Sequence, residues 1–264
     1  MNSISSTLMK WGSSIVILLV CLAAGTPRDL GREEKEAKTA TVWFKSGNDS
    51  VSAFLALPKG NRPSAAIVLI HEWWGLNVWV KANARRFADS GYVALAVDLY
   101  RGRVATSADE AHELSRGLPD DRAIRDLISA VEYLRSRGDV KKDDIGVIGW
   151  CMGGGYSLQS AINIPHLAAA IVCYGRLVTD TTLVKKIGSP ILGIFGEEDR
   201  GIPPSSVHDF ERTAKALGKS VSAHVYPGAG HAFMNENNKG GYRSEATKDA
   251  WQKIFSFLAS TLRK

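Results

Sequence analysis

One stretch restricts the fold of this chain more than any other. From Ile145 an apolar, strand-type run (Ile145-Gly146-Val147-Ile148-Gly149-Trp150) leads into Cys151-Met152-Gly153-Gly154-Gly155, and the residues up to Ala161 can start a helix. A strand that turns sharply into a helix brings backbones close together. Glycines two before and two after Cys151 permit that approach because they carry no Cβ. A side chain at the tip of such a turn stands clear of the sheet edge, which is the form of a nucleophile elbow. Here the tip residue is a cysteine.

The remainder of the chain reads as support for that turn. Short apolar runs of strand type recur at 41–45, 51–57, 65–70, 92–97, 145–149, 168–173, 190–195 and 221–226. Ser46-Gly47-Asn48-Asp49 supplies a turn between the first two. Ala65 to Ile70 is apolar at every position, as in a strand buried on both faces. Helical spacing appears at 78–90, 107–115, 120–137, 153–163, 204–217 and 242–262. The stripe Ile124, Leu127, Ile128, Val131, Leu134 marks one helix. Strands alternating with helices predict an α/β fold, with a mostly parallel central sheet of about eight strands and helices on both faces. Loops that carry function then gather at the C-terminal ends of the strands.

The 264 residues and a hydrophobic content of 45% suit one large core, and we expect a single domain over 40–264. Residues 1–25 read as an export signal. Lys10 supplies the charge, 15–24 the apolar centre, and Ala23-Ala24-Gly25 a cleavage site. The apolar centre is short for a membrane span, so no stable insertion is expected after cleavage, an uncleaved anchor being the alternative. Export to the periplasm or exterior follows as the expectation. Residues 26–39 are polar and read as a linker. The formal charge of +6 is scattered in doublets such as Arg85-Arg86, Lys141-Lys142 and Lys185-Lys186, with no basic stripe interleaved with aromatics. That argues against a nucleic-acid partner. Of three cysteines, Cys21 falls in the signal and Cys173 in an apolar run where it reads as a small buried hydrophobe. No Cys/His spacing suggests a metal, and the reading requires no cofactor. A monomer is expected.

A thiol at an elbow needs a base, an orienting acid and an oxyanion site. After the strand at 190–195 comes Gly196-Glu197-Glu198-Asp199, and Asp199 is preferred to Glu197 and Glu198 because the loop turns before it. After the last strand, Gly228-Ala229-Gly230-His231 forms a glycine-rich loop that can reach back across the sheet. His71, His112, His166, His208 and His224 lack that setting. The order nucleophile, acid, histidine is that of the α/β-hydrolase fold. Backbone N–H groups of Met152 and Trp73 are the expected oxyanion donors, one opening the elbow helix and one in the loop after the third strand.

Five stretches carry a resemblance: His71-Glu72-Trp73-Trp74-Gly75, Asp98-Leu99-Tyr100, Gly149-Trp150-Cys151-Met152-Gly153-Gly154, Gly196-Glu197-Glu198-Asp199 and Gly230-His231-Ala232-Phe233. The chain resembles the dienelactone hydrolase (carboxymethylenebutenolidase) family of the α/β-hydrolases over roughly residues 40–262. The resemblance implies a triad of Cys151, His231 and Asp199, with Glu72 activating the thiol. It also implies a small ester or lactone substrate opened through an acyl-thiol intermediate. The family substrate carries a carboxylate, for which Arg101 and Arg103 after the fourth strand are the first candidates, with Arg176 a further one. Tyr174 matches a family pocket position. The chain departs from the archetype in two places: Met234-Asn235 follows His-x-Phe where the archetype has an arginine, and Trp73-Trp74 makes one wall bulkier. The competing readings are a broader carboxylesterase or thioesterase, a non-catalytic binding protein on the same fold, and a redox thiol protein.

Overall fold

The structure is a computed structural model and describes residues 37–60 and 62–262. The expected signal at 1–25 and the linker up to residue 36 lie outside the described residues. The folded chain begins slightly earlier than its composition indicates, because Lys38 and Thr39 already belong to the first strand.

In chain order the elements are β1 (Lys38–Ser46), β2 (Asp49–Leu57), β3 (Ser64–Ile70), α1 (Val78–Asp89), β4 (Val93–Val97), α2 (Ala108–Arg116), α3 (Asp120–Ser136) and β5 (Val140–Trp150). They continue with α4 (Met152–Asn163), β6 (Ala169–Cys173), α5 (Thr181–Val184), β7 (Ile191–Gly196), α6 (Pro204–Ala216), β8 (Val221–Tyr226) and α7 (Ser244–Thr261). Among the described residues the eight strands form one sheet in the order β1-β2-β4-β3-β5-β6-β7-β8. The β1/β2 and β2/β4 pairs are antiparallel, and every other pair is parallel. This is an α/β-hydrolase fold, as its sequence pattern predicts.

The apolar strands explain the layering. Along β3 the alternation splits Ala66, Val68 and Ile70 onto one face and Ala65, Ile67 and Leu69 onto the other. All six are fully buried. One face is covered by α2, α3, α4 and α6, through residues such as Leu114, Leu127, Leu158 and Phe210. The other is covered by α1 and α7, through Trp79, Phe87, Trp251 and Ile254.

Two differences from the sequence reading have plain causes. Strand β5 starts at Val140 rather than Ile145, because Lys141-Lys142-Asp143-Asp144 extends the strand where polar residues read as loop. The β3 partner shifts register there, between Ser64 and Ala66. The short α5 has no apolar stripe to announce it. It is held by Asp180, whose side chain accepts the Thr182 N–H.

Topology fixes where a ligand meets this sheet. The chain leaves β3 toward β4 on one side and returns to β5 on the other. The crevice outside the C-terminal ends of β3 and β5 is therefore a switch point, the usual binding place in open parallel sheets. The elbow and the loop carrying Glu72 both open there.

Candidate active site

Cys151 stands between β5 and α4 with φ 55° and ψ −118°, in the left-handed half of backbone space that a side chain rarely occupies. The surroundings hold it there. Its N–H donates to the Cys173 carbonyl at 3.0 Å, tying the tip to the end of β6. A Cβ on Gly149 would overlap the Gly153 carbonyl, and one on Gly153 would overlap the carbonyls of Ile70 and His71. Those two glycines thus let the first turn of α4 fold under β5 and rest on the end of β3. Positive φ at non-glycine residues recurs at Tyr174 and at Ala232 beside His231, so strained backbone gathers around this crevice.

The three residues expected to converge do so. Asp199, just past β7, is buried, and its Oδ1 accepts the N–H groups of Gly201 at 2.9 Å and Ile202 at 3.1 Å. Its Oδ2 lies 2.7 Å from His231 Nδ1. Glu197 and Glu198 are exposed, which separates them from Asp199. The loops after β7 and β8 are joined by backbone bonds, Glu197 N–H to Tyr226 O at 3.0 Å and Glu198 N–H to Ala229 O at 2.8 Å. His231 is also hydrogen-bonded to the Cys151 side chain. With Nδ1 taken by Asp199, the thiol meets the remaining ring nitrogen.

This pairing sets the charges. Burial works against a charged His231, but the bonds to Asp199 and Cys151 outweigh it and lift its pKa to about 10. Burial likewise works against a charged Asp199, yet its bond to His231 leaves its pKa below the ordinary value. At neutral pH the pair is imidazolium and carboxylate.

Glu72 follows β3 and is 2% exposed. Burial raises its pKa to about 7, against the opposing pull of Asn235, His231 and Tyr174. Its Oε2 accepts from Asn235 Nδ2 at 2.6 Å and its Oε1 from the Tyr174 hydroxyl at 3.4 Å. The carboxylate is thus engaged with Asn235 and Tyr174 at the floor of the crevice. His71, before it, is fully buried. Its Nε2 accepts the Leu99 N–H at 3.3 Å, which leaves Nδ1 to donate to the Glu72 carbonyl at 2.6 Å. Burial lowers its pKa, in keeping with a neutral ring that ties the β3 loop to the end of β4.

The two expected oxyanion donors sit on different segments, the start of α4 and the loop after β3. Met152 is the first residue of α4, where N–H groups have no acceptor within the helix. Trp73 is a corner residue of the turn closed by Gly75 N–H to Glu72 O at 3.2 Å, a bond that leaves the Trp73 N–H unused.

The expected substrate-binding residues divide. Arg101 requires correction. Its guanidinium is ion-paired at 2.8 Å to Asp49 and at 2.8 Å to the fully buried Asp126, so two carboxylates already occupy it. Arg103 is exposed and acts on Glu110 as a nearby positive charge. Tyr174 is completely buried and packs edge-on against His231 at 5.3 Å, so it supports the site from beneath. Arg176 is exposed on a cleft of about 610 Å³ that starts at Met152 and Gly155 and is walled by Ile124, Leu177, Val178 and Leu183. Among the described residues no cluster of His, Cys, Asp and Glu has the makings of a metal site.

A profile of the dienelactone hydrolase family matches residues 51–262. This chain belongs to that family. Among its relatives, a Saccharolobus solfataricus protein named "Putative carboxymethylenebutenolidase" is 33% identical over 256 residues, covering 82% of this chain and 96% of the relative. A Methylorubrum extorquens protein of the same name is 31% identical, covering 77% and 75%. A Klebsiella pneumoniae crystal structure, also named as a dienelactone hydrolase on a putative basis, has a TM-score of 0.78 at 26% identity and covers 84% of this chain and 98% of its own. A dienelactone hydrolase-like promiscuous phosphotriesterase from metagenomic libraries superposes at TM-score 0.79 and 20% identity, over 86% of this chain and all of its own, a likeness of fold.

Two residues of this dienelactone hydrolase family member escaped the sequence reading as parts of the site. Tyr100 donates its hydroxyl to the Met152 sulfur at 3.2 Å. Asn235 reaches Glu72 across 163 positions of chain. The signal for Asn235 was its place four residues after His231 in the same loop, but its partner was invisible.

Proposed function

We propose that this protein hydrolyses small esters or lactones through a thioester on Cys151, with His231, Asp199 and Glu72 in separate roles. The observation that carries the reading is the hydrogen-bonded chain from the elbow thiol through His231 to buried Asp199. Accepting the thiol proton and donating one to the departing alkoxide need different protonation states, and neighbouring groups with pKa values pushed apart supply them. An imidazolium with a pKa of about 10 enters the cycle as an acid. A carboxyl group near 7 serves as a base for the thiol.

The steps balance. Glu72 takes the Cys151 proton as the sulfur forms its bond to the ester carbonyl carbon. The carbonyl electron pair moves to oxygen, where the Met152 and Trp73 N–H groups receive it. When that pair returns, the bond to the alkoxide breaks and His231 protonates the departing oxygen. In a lactone the leaving alcohol remains tethered to the acyl group. Neutral His231 then takes a proton from water, the hydroxide attacks the thioester, and the thiolate leaves and recovers its proton from Glu72. Asp199 holds His231 in one tautomer throughout.

The cleft beside α4 suits the part of the substrate that does not react, with apolar walls for a hydrocarbon and Arg176 for a carboxylate. That breadth favours a range of carboxylic esters as a second reading over one lactone. The test is a panel of p-nitrophenyl esters and small lactones, with rapid quenching and mass spectrometry of the peptide carrying Cys151. An acyl adduct on that peptide, and background turnover in folded Cys151→Ala, are expected. Full turnover in Cys151→Ala would reject the assigned nucleophile.

A further inference from the structure

The polar atoms around Glu72 define what charge it can carry, and they lead to a residue of this chain with no role so far. Asn235 is buried. Its backbone N–H donates to Ala232 O at 3.1 Å, its carbonyl accepts Asn238 N–H at 2.9 Å, and Asn238 in turn donates its side-chain amide to His231 O at 3.2 Å. Asn235 is therefore fixed to the same loop as His231. Its side-chain Oδ1 accepts the Asn237 N–H at 2.9 Å. That bond decides which way the amide faces. Turned over, the NH₂ group would oppose the Asn237 N–H, donor against donor. The NH₂ group is thus committed to Glu72, 2.6 Å away, and can only donate. Glu72 Oε2 must accept, and a donor held there stabilises the carboxylate more than the neutral acid.

We infer that Asn235 is a positioning residue for activation of the thiol: its amide, fixed in direction by Asn237, favours in buried Glu72 the ionised form that can accept the Cys151 proton. This rests on the hydrolase reading given above. The neighbours are consistent with it. His231, from the loop after β8, places a positive charge near Glu72. The Tyr174 hydroxyl and Cys173 thiol, from β6 and its end, are neutral because burial pushes both far upward. His71, from the end of β3, is neutral because burial lowers its pKa. Asn235 leads the interactions that oppose burial, and the balance leaves Glu72 near 7. An arginine here, as in the family archetype, would add a charge. The amide supplies direction without charge, so Glu72 stays within reach of both protonation states near neutrality.

Glu72 is titrated directly by infrared spectroscopy. Its protonated carboxyl stretch is isolated by subtracting the spectrum of Glu72→Gln. In Asn235→Leu, loss of a hydrogen bond to a charged group is expected to move the midpoint upward by about one to two pH units. The acid limb of kcat/KM for p-nitrophenyl acetate should move with it, while hydrolysis of the pre-formed thioester at high pH keeps its rate. Asn235→Asp preserves size and gives a second reading. Two buried carboxyl groups sharing a proton also move the midpoint upward. A midpoint unchanged in both folded variants overturns the inference, as does a uniform loss of activity at every pH with no movement of the limb. Absence of ester turnover in the wild type would sink the hydrolase reading instead, and the infrared midpoint would still decide what Asn235 does to Glu72.

Discussion

His231 Nδ1 lies 2.7 Å from Asp199 Oδ2, and the other oxygen of that carboxylate is held by the N–H groups of Gly201 and Ile202. The loop thus orients Asp199 before Asp199 orients the ring. Asp199→Asn keeps the shape and removes the charge that fixes the tautomer, so kcat/KM is expected to fall about a thousandfold or more. The pair also makes stability depend on pH. His231 has a folded pKa of about 10 against an ordinary 6.5. Its stabilisation is complete below about pH 6.5 and declines as pH rises toward 10. Thermal melts of wild type should fall across that window, and those of His231→Gln should lack that decline. Equal pH slopes for the two proteins would contradict the charge assigned to the ring.

Glu72 predicts the opposite limb of the rate profile. A base must be deprotonated, so kcat/KM should rise with pH through about 7 in wild type. Glu72→Gln should lose that rise and slow acylation more than deacylation. Stability follows a separate sign. Above about pH 4.5 the unfolded chain releases the Glu72 proton while the folded chain keeps it up to about 7, so the buried carboxyl group becomes steadily more destabilising over that window. Melting of Glu72→Gln relative to wild type should improve between pH 4.5 and 7 and level off above. A relative melting temperature independent of pH would show that burial does not raise this carboxyl.

Arg101 and Arg176 should separate cleanly. Arg101→Ala strands Asp126, whose side chain is fully buried, and is expected to cost about 3 kcal/mol in denaturant unfolding, with no preference between charged and neutral esters. Arg176→Ala should leave stability intact. It should lower kcat/KM about tenfold for esters bearing a carboxylate and spare neutral ones. Equal losses on both ester classes would remove Arg176 from substrate recognition.

Much of this was legible in the chain because local chemistry forces it. The fully apolar run at β3 has no polar face, so it had to be a strand covered on both sides. The glycines at 149 and 153 pointed to a tight elbow, and the overlaps a Cβ would make there give the reason. Asp199 stood out from Glu197 and Glu198 by loop position alone, and burial agrees with that choice. The charged start of β5 was hidden, because Lys141-Lys142-Asp143-Asp144 carries no apolar residue and lies where the register with β3 shifts, between the Val140 and Ile145 pairings.

The side-chain pairings around the site were not local and could not be read. Arg101 looks like an anion binder beside its neighbours in sequence. Only the packing of α3 and the β1–β2 turn against the end of β4 brings Asp126 and Asp49 to it. Asn235 looks like a loop residue until the fold sets it against Glu72. Sequence by itself determined which residues sit at strand ends, since periodicity and glycine placement act over a few residues. Tertiary structure decided which charges they carry, since burial and hydrogen-bond partners come from chain segments that lie from 32 positions away, for His231 and Asp199, to 163, for Glu72 and Asn235.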